Sequence, residues 1–224
     1  MTRTTWSLTV AFALTCASLI AAAAAPPDKP VKKIDEGLLD SIELYVATLP
    51  APGDQTVLVR PFTSDKAELG TGNKDGDKDE QSEAQKMQTE GPNLLAEALI
   101  ATLKEQGGFK DATVGSVANG GGEAPPADAG GSTLIVEGQF TELDPGSRVK
   151  RYFVGFGAGK AAVAVSGTVK DGSGKLLATF KQRRVATMGA AGGDSIKKMT
   201  GDCKSIGEDI ARFLSAWAKG KKLD

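Results

Sequence analysis

The chain has 224 residues, 40% of them hydrophobic and 25% charged, with 27 basic against 28 acidic side chains and no histidine. That composition supports one globular domain with a core, and excludes a disordered polyampholyte or a multi-span membrane protein. The near-neutral charge argues against a nucleic-acid binder, and the missing histidine removes Ser-His-Asp and Cys-His chemistry and the commonest zinc ligand.

Arg3 followed by an apolar run from Leu8 into Ala21–Ala25, then Pro26-Pro27, predicts a cleaved secretory signal peptide over residues 1–25. An alternative is an envelope lipoprotein acylated at Cys16. Its flanks are poor for that, with Ala13 and Thr15 where a large apolar and a small residue are wanted. Cleavage leaves Cys203 alone, so no internal disulfide can staple the exported chain. No later stretch is long and apolar enough to span a membrane. The expected location is therefore periplasmic or secreted.

Residues 26–54 read as an N-terminal leader and linker, ambiguous between helix and strand from Ile34 to Leu49. A single domain is expected over 55–220. Thr56–Phe62 alternates as a strand ended by Pro61, and residues 64–90 carry charge with few large apolar side chains, as a flexible loop would. A helix is expected from Pro92 to Gln106, with Leu95, Leu99 and Leu103 buried and Gly107-Gly108 ending it. A short strand from Asp111 and a second flexible loop at 119–132 follow.

The second half is strand-rich. Leu134, Val136 and Phe140 share one face of Thr133–Leu143, a strand is expected over Val149–Gly155, and Val163, Val165 and Val169 share a face of Ala161–Lys170. Asp171-Gly-Ser-Gly174 is a hairpin turn, returning through a strand with Leu176, Ala178 and Phe180 inward. Ile196, Met199, Cys203, Ile206, Ile210, Phe213 and Trp217 then recur at spacings of 3 and 4 along a C-terminal helix. Cys203 sits in that stripe, as a buried inert thiol would. The expected fold is α+β: a mostly antiparallel sheet with helices packed on one face, one of them a long amphipathic C-terminal helix.

Gly155-Phe-Gly-Ala-Gly-Lys160 has the glycine content of a phosphate loop, but Val154 stands at the first glycine position and Ala161 at the Ser/Thr position. The run Asn73-Lys-Asp75-Gly-Asp77 has calcium-like spacing, yet Lys78 and Ala84 occupy the positions an EF-hand gives to Gly and Glu. Neither pattern makes a site, so no cofactor, metal or catalytic residue is expected. One candidate patch for an anion or partner remains: Arg148, Arg151, Gly155, Gly157, Gly159, Lys160, Arg183 and Arg184, if the strands bring them together.

Leu134-Ile-Val-Glu-Gly138, Gly146-Ser-Arg148, Gly155–Lys160, Gly174-Lys-Leu-Leu-Ala178 and Gly192-Gly193 resemble elements of a bacterial exported family of unknown function, across residues 133–218. More remotely, the strand–helix–strand order resembles the envelope domain shared by the curli secretion lipoprotein CsgG and the TolB amino-terminal domain. The resemblance implies assembly in the envelope rather than catalysis. The expected function is an exported, non-enzymatic interaction or assembly module with an envelope protein or polymer as partner. The alternatives are an envelope anion or small-ligand binder using Gly155–Lys160, or a lipoprotein of a secretion system.

Overall fold

In a strand, alternate side chains face opposite ways, so a sheet covered by helices on one side buries every second residue. The computed structural model, which describes residues 29–70, 78–115, 133–146, 160–185 and 195–224, is built on that rule. Its strands are β1 (Lys32–Asp35), β2 (Ser41–Leu44), β3 (Thr56–Val59), β4 (Glu68–Leu69), β5 (Asp111–Val114), β6 (Thr133–Asp144), β7 (Ala162–Asp171) and β8 (Leu176–Val185). The helices are α1 (Lys78–Gln106) and α2 (Ser195–Ala218). The fold is α+β, as expected.

The eight strands form one sheet in the order β1-β2-β8-β7-β6-β3-β5, with β4 also paired to β6. Pairing is antiparallel from β1 through β6, whereas β3 runs parallel to both β5 and β6. A parallel pair needs a crossover, and α1 supplies it between β3 and β5. Residues 32–44, where the sequence reading places a leader and linker, form a hairpin on the sheet with Ile34, Ile42 and Leu44 buried.

Val57 and Val59 of β3, Leu134, Val136 and Phe140 of β6, Val163, Val165 and Val169 of β7, and Ala178 and Phe180 of β8 are buried in the core. One expected position differs. A register shift between Val169 and Lys170 places Leu177, not Leu176, in the core. A bulge puts two residues opposite one and so changes which side chain faces inward.

The stripe of α2 is buried at Met199, Cys203, Ile206, Ile210, Phe213 and Trp217, while Ile196 packs partly against the core. Helices α1 and α2 pack closely at Gly207. A Cβ there would collide with the Leu95 carbonyl oxygen and lie 3.0 Å from the Leu99 nitrogen. At their far ends Lys219 Nζ donates to the Gln106 carbonyl at 2.7 Å, so the two helices finish side by side. Beyond α2, Leu223 is buried and its carbonyl accepts the Leu38 N–H at 3.0 Å, fastening the chain over the β1–β2 turn.

α1 begins within the stretch expected to be a flexible loop, so Pro92 lies inside the helix rather than at its first turn. A proline inside a helix deprives the carbonyl four residues earlier of its donor. That carbonyl belongs to Gln88, and Ser64 Oγ donates to it at 2.6 Å, while Gln88 Nε2 donates to the Ser64 carbonyl at 2.8 Å. Ala84 and Met87 are buried, which anchors this polar first half to the core. The loop expected at 119–132 and the strand expected at Val149–Gly155 lie outside the described residues.

Candidate functional site

Arg183 and Arg184 are neighbours on β8 and therefore point to opposite faces. Arg183 lies on the face turned away from α1 and α2. Its Nε and Nη2 bind the two oxygens of Glu142 at 2.6 and 2.9 Å, and its backbone N–H donates to Asp40 Oδ2 at 2.6 Å. Glu142 of β6 and Arg183 of β8 both flank Ala164 of β7 in register, so this two-pronged pair spans the small side chain between them. The hydrogen bond to Glu142 holds the Arg183 pKa above its ordinary value, with nearby Asp144 and Asp40 adding to it against the opposing effect of burial.

Arg184 faces the helices. Its Nη2 and Nε bind Asp209 Oδ2 of α2 at 2.6 and 3.2 Å, and Arg212 Nη1 reaches the other oxygen of that carboxylate at 3.0 Å. Asp202, one heptad earlier on α2, is half-buried, and its Oδ2 is enclosed without a hydrogen-bond partner. Burial lifts its pKa above the ordinary carboxylate value, outweighing the opposite pull of Arg184 and Lys198.

A second charged group lies on the face turned away from α1 and α2, joining three strands. Glu137 of β6 accepts from Arg60, just past β3, at 2.9 Å, and from Lys170 of β7. Burial pushes the Glu137 carboxyl upward. The hydrogen bonds and charges of Lys170 and then Arg60 outweigh it, so the pKa ends below the ordinary value.

Of the sequence-predicted patch, Arg148, Arg151, Gly155, Gly157 and Gly159 lie outside the described residues. Lys160 is exposed just before β7. Arg183 and Arg184 are not brought together: each is engaged by a carboxylate on its own side of the sheet. The carboxylates that engage them, Glu142 and Asp209, were not legible as partners. They lie 41 and 25 residues away in sequence, and only the strand register and helix docking join them.

Three strand pairings mark one end of the sheet. Leu69 pairs with Leu143, Asp144 with Ala162, and Ala162 with Val185. The chain therefore leaves the sheet after Leu69, Asp144 and Val185, and enters β7 from Lys160, all at this end. Cys203, by contrast, is fully buried beside Gly91 and Phe140, and burial pushes its thiol up to about 12, which keeps it a protonated, unreactive thiol at neutral pH.

The chain belongs to the family described as a domain of unknown function (DUF4410), whose model matches residues 57–190. That match runs from β3 through β8. Three of the solved structures similar to this chain are as follows. The PelC dodecamer from Paraburkholderia phytofirmans is 15% identical with a TM-score of 0.44, covering 79% of this chain and 96% of that one. A variant of the PelC dodecamer from the same organism is 16% identical with a TM-score of 0.38, covering 78% and 96%. A crystal structure of an uncharacterized protein is 14% identical with a TM-score of 0.37, covering 74% and 94%. No curated protein sequence matches the chain. Among the described residues no helix is long and apolar enough to cross a membrane.

Proposed function

We propose that the protein is an exported, non-enzymatic interaction or assembly module of the bacterial cell envelope, and that it meets its partner at the sheet end marked by Leu69, Asp144, Ala162 and Val185. The observation that carries this reading is that the chain leaves the sheet at that end after Leu69, Asp144 and Val185 and re-enters it at Ala162, with Lys160 exposed just before β7. Connecting segments on a rigid scaffold are where binding residues concentrate. The scaffold is cross-tied by charge: Arg183–Glu142 and Arg60–Glu137–Lys170 tie strands together, and Arg184–Asp209 ties α2 to β8. The signal-peptide pattern of residues 1–25 and the remote resemblance to the CsgG and TolB envelope domains point to the same compartment.

Of the predicted patch, the sequence positions Arg148, Arg151 and Lys160 are the ones assigned to the partner here, since Arg183 and Arg184 serve the scaffold. Charge reversal at Arg148 and Lys160 tests the reading. The double variant is expected to keep the thermal midpoint of the wild type and to lose the envelope protein or polymer that co-purifies after in-cell cross-linking. Unchanged co-purification by the folded variant would contradict it. The same preparation distinguishes the anion-binding alternative. If Arg148→Ala with Lys160→Ala abolishes stabilisation by inorganic phosphate, the turn is an anion site instead.

A further inference from the structure

Among the described residues β5 is the last strand on its side of the sheet, paired only with β3. Gly115 N–H donates to the Val59 carbonyl at 2.8 Å. Successive N–H groups along a strand point to alternate sides. That of Thr113 therefore faces β3, while those of Ala112 and Val114 face away from the sheet; at the start of the strand the Lys110 N–H takes the Gln55 carbonyl at 2.8 Å. A row of outward donors is a template for another strand, and the Thr113-Val114 pair favours extended pairing. Val114 is 55% exposed.

The outward N–H of Ala112 is nevertheless occupied. Asp111 Oδ1 accepts it at 2.7 Å, and Lys104 Nζ, from the last turn of α1, lies 3.5 Å from the same oxygen. At the opposite border of the sheet, β1 exposes Lys32 and Lys33, the more familiar way of discouraging strand addition. On β5 the discouragement is a carboxylate that takes the donor itself.

We infer that Asp111 guards the β5 edge, and that Lys104 holds it in place, so that the edge does not add a strand from a second copy of this chain. A second copy is the relevant intruder because a two-fold axis can set β5 against itself with an identical, equally exposed edge. The inference is independent of the partner-binding end proposed above, which lies at the other end of the strands.

The test compares mass against concentration by light scattering for the wild type, Asp111→Ala, Asp111→Asn, and Asp111→Ala combined with Val114→Lys. Asp111→Ala is expected to gain mass with concentration relative to the wild type, together with an intermolecular β signal in the infrared amide band. Asp111→Asn keeps the accepting oxygen and is expected to behave as the wild type. The added lysine is expected to reverse the association. A wild-type-like Asp111→Ala, an Asp111→Asn as sticky as Asp111→Ala, or no reversal by Val114→Lys would each overturn the inference. Hydrogen exchange on the wild type alone gives a second reading that needs no variant to fold. The Ala112 amide is expected to exchange several-fold more slowly than the equally outward Val114 amide, and equal rates would overturn the guarding bond.

Discussion

Gly138 of β6 and Gly167 of β7 stand directly opposite one another, and the rings of Phe62 and Phe180 occupy the space their absent side chains leave. A Cβ on Gly138 would sit 2.5 Å from both Phe62 Cε1 and the Ser166 carbonyl oxygen, and one on Gly167 would strike the Phe180 ring. The two rings lie 6.4 Å apart, and Phe180 in turn meets Phe213 of α2 at 6.3 Å. The paired glycines thus form the hollow through which aromatic side chains connect sheet to helix. Overpacking a filled core costs about 1–3 kcal/mol. Gly138→Ala should fall at or above the upper end, because a backbone oxygen as well as a ring must move. Urea denaturation reads the loss. A variant as stable as the wild type would show that the hollow is not needed.

The Ser64–Gln88 bond makes a sharper prediction, because its need arises from Pro92. A buried acceptor left without its partner costs about 1–3 kcal/mol. Ser64→Ala should therefore destabilise the protein, and should cost less in a Pro92→Ala background, where residue 92 regains an N–H for the Gln88 carbonyl. A double-mutant cycle with additive effects would contradict that account.

Much of the core was legible because its period is clean. Leu134, Val136 and Phe140, then Val163, Val165 and Val169, alternate on strands, and the α2 stripe repeats at helical spacing. The Asp171–Gly174 turn was legible from its chemistry. Asp171 Oδ1 accepts from the N–H groups of Ser173 and Lys175 at 2.9 and 3.0 Å, and Gly174 takes a φ of 86°. The first half of α1 was not legible. Apolar periodicity is almost absent there, and its helix depends on Ala84, Met87 and the Ser64 contact, which are tertiary. The β1–β2 hairpin was ambiguous because Ile34, Leu38 and Ile42 fit a helical stripe as well as Ile42 and Leu44 fit a strand. Within the candidate patch, Arg183 and Arg184 part for a simple geometric reason: adjacent residues on a strand face opposite ways, so the two cannot share a surface.

Two carboxyl groups should pull stability in opposite directions with pH. The Glu137 pKa is lowered in the folded state, so its contribution is present above its unfolded value and is lost as pH falls through the folded one. The Asp202 pKa is raised, so its charged form penalises the fold at neutral pH, and the penalty is relieved as pH falls through the raised value. Glu137→Gln should therefore destabilise and Asp202→Asn should stabilise at neutral pH, with both differences shrinking in acid. Denaturation curves across the acid range check this. An Asp202→Asn variant less stable than the wild type at neutral pH would mean that the enclosed carboxylate is held by a partner.

Arg184→Ala should cost more than Arg183→Ala, because it leaves Asp209, whose side chain is only 11% exposed, with Arg212 alone beside it. Glu142, freed by the other change, is 24% exposed and better reached by water. Thermal midpoints of the two variants, ranked in the reverse order, would contradict this placement.

The most direct measurement of the central claim is fractionation of cells producing the native chain, with intact mass of the recovered protein and of anything cross-linked to it. The account predicts recovery outside the cytoplasm, a mature chain beginning near Ala25 or Pro26, and a cross-linked envelope protein or polymer. A cytoplasmic chain still beginning at Met1 would contradict it.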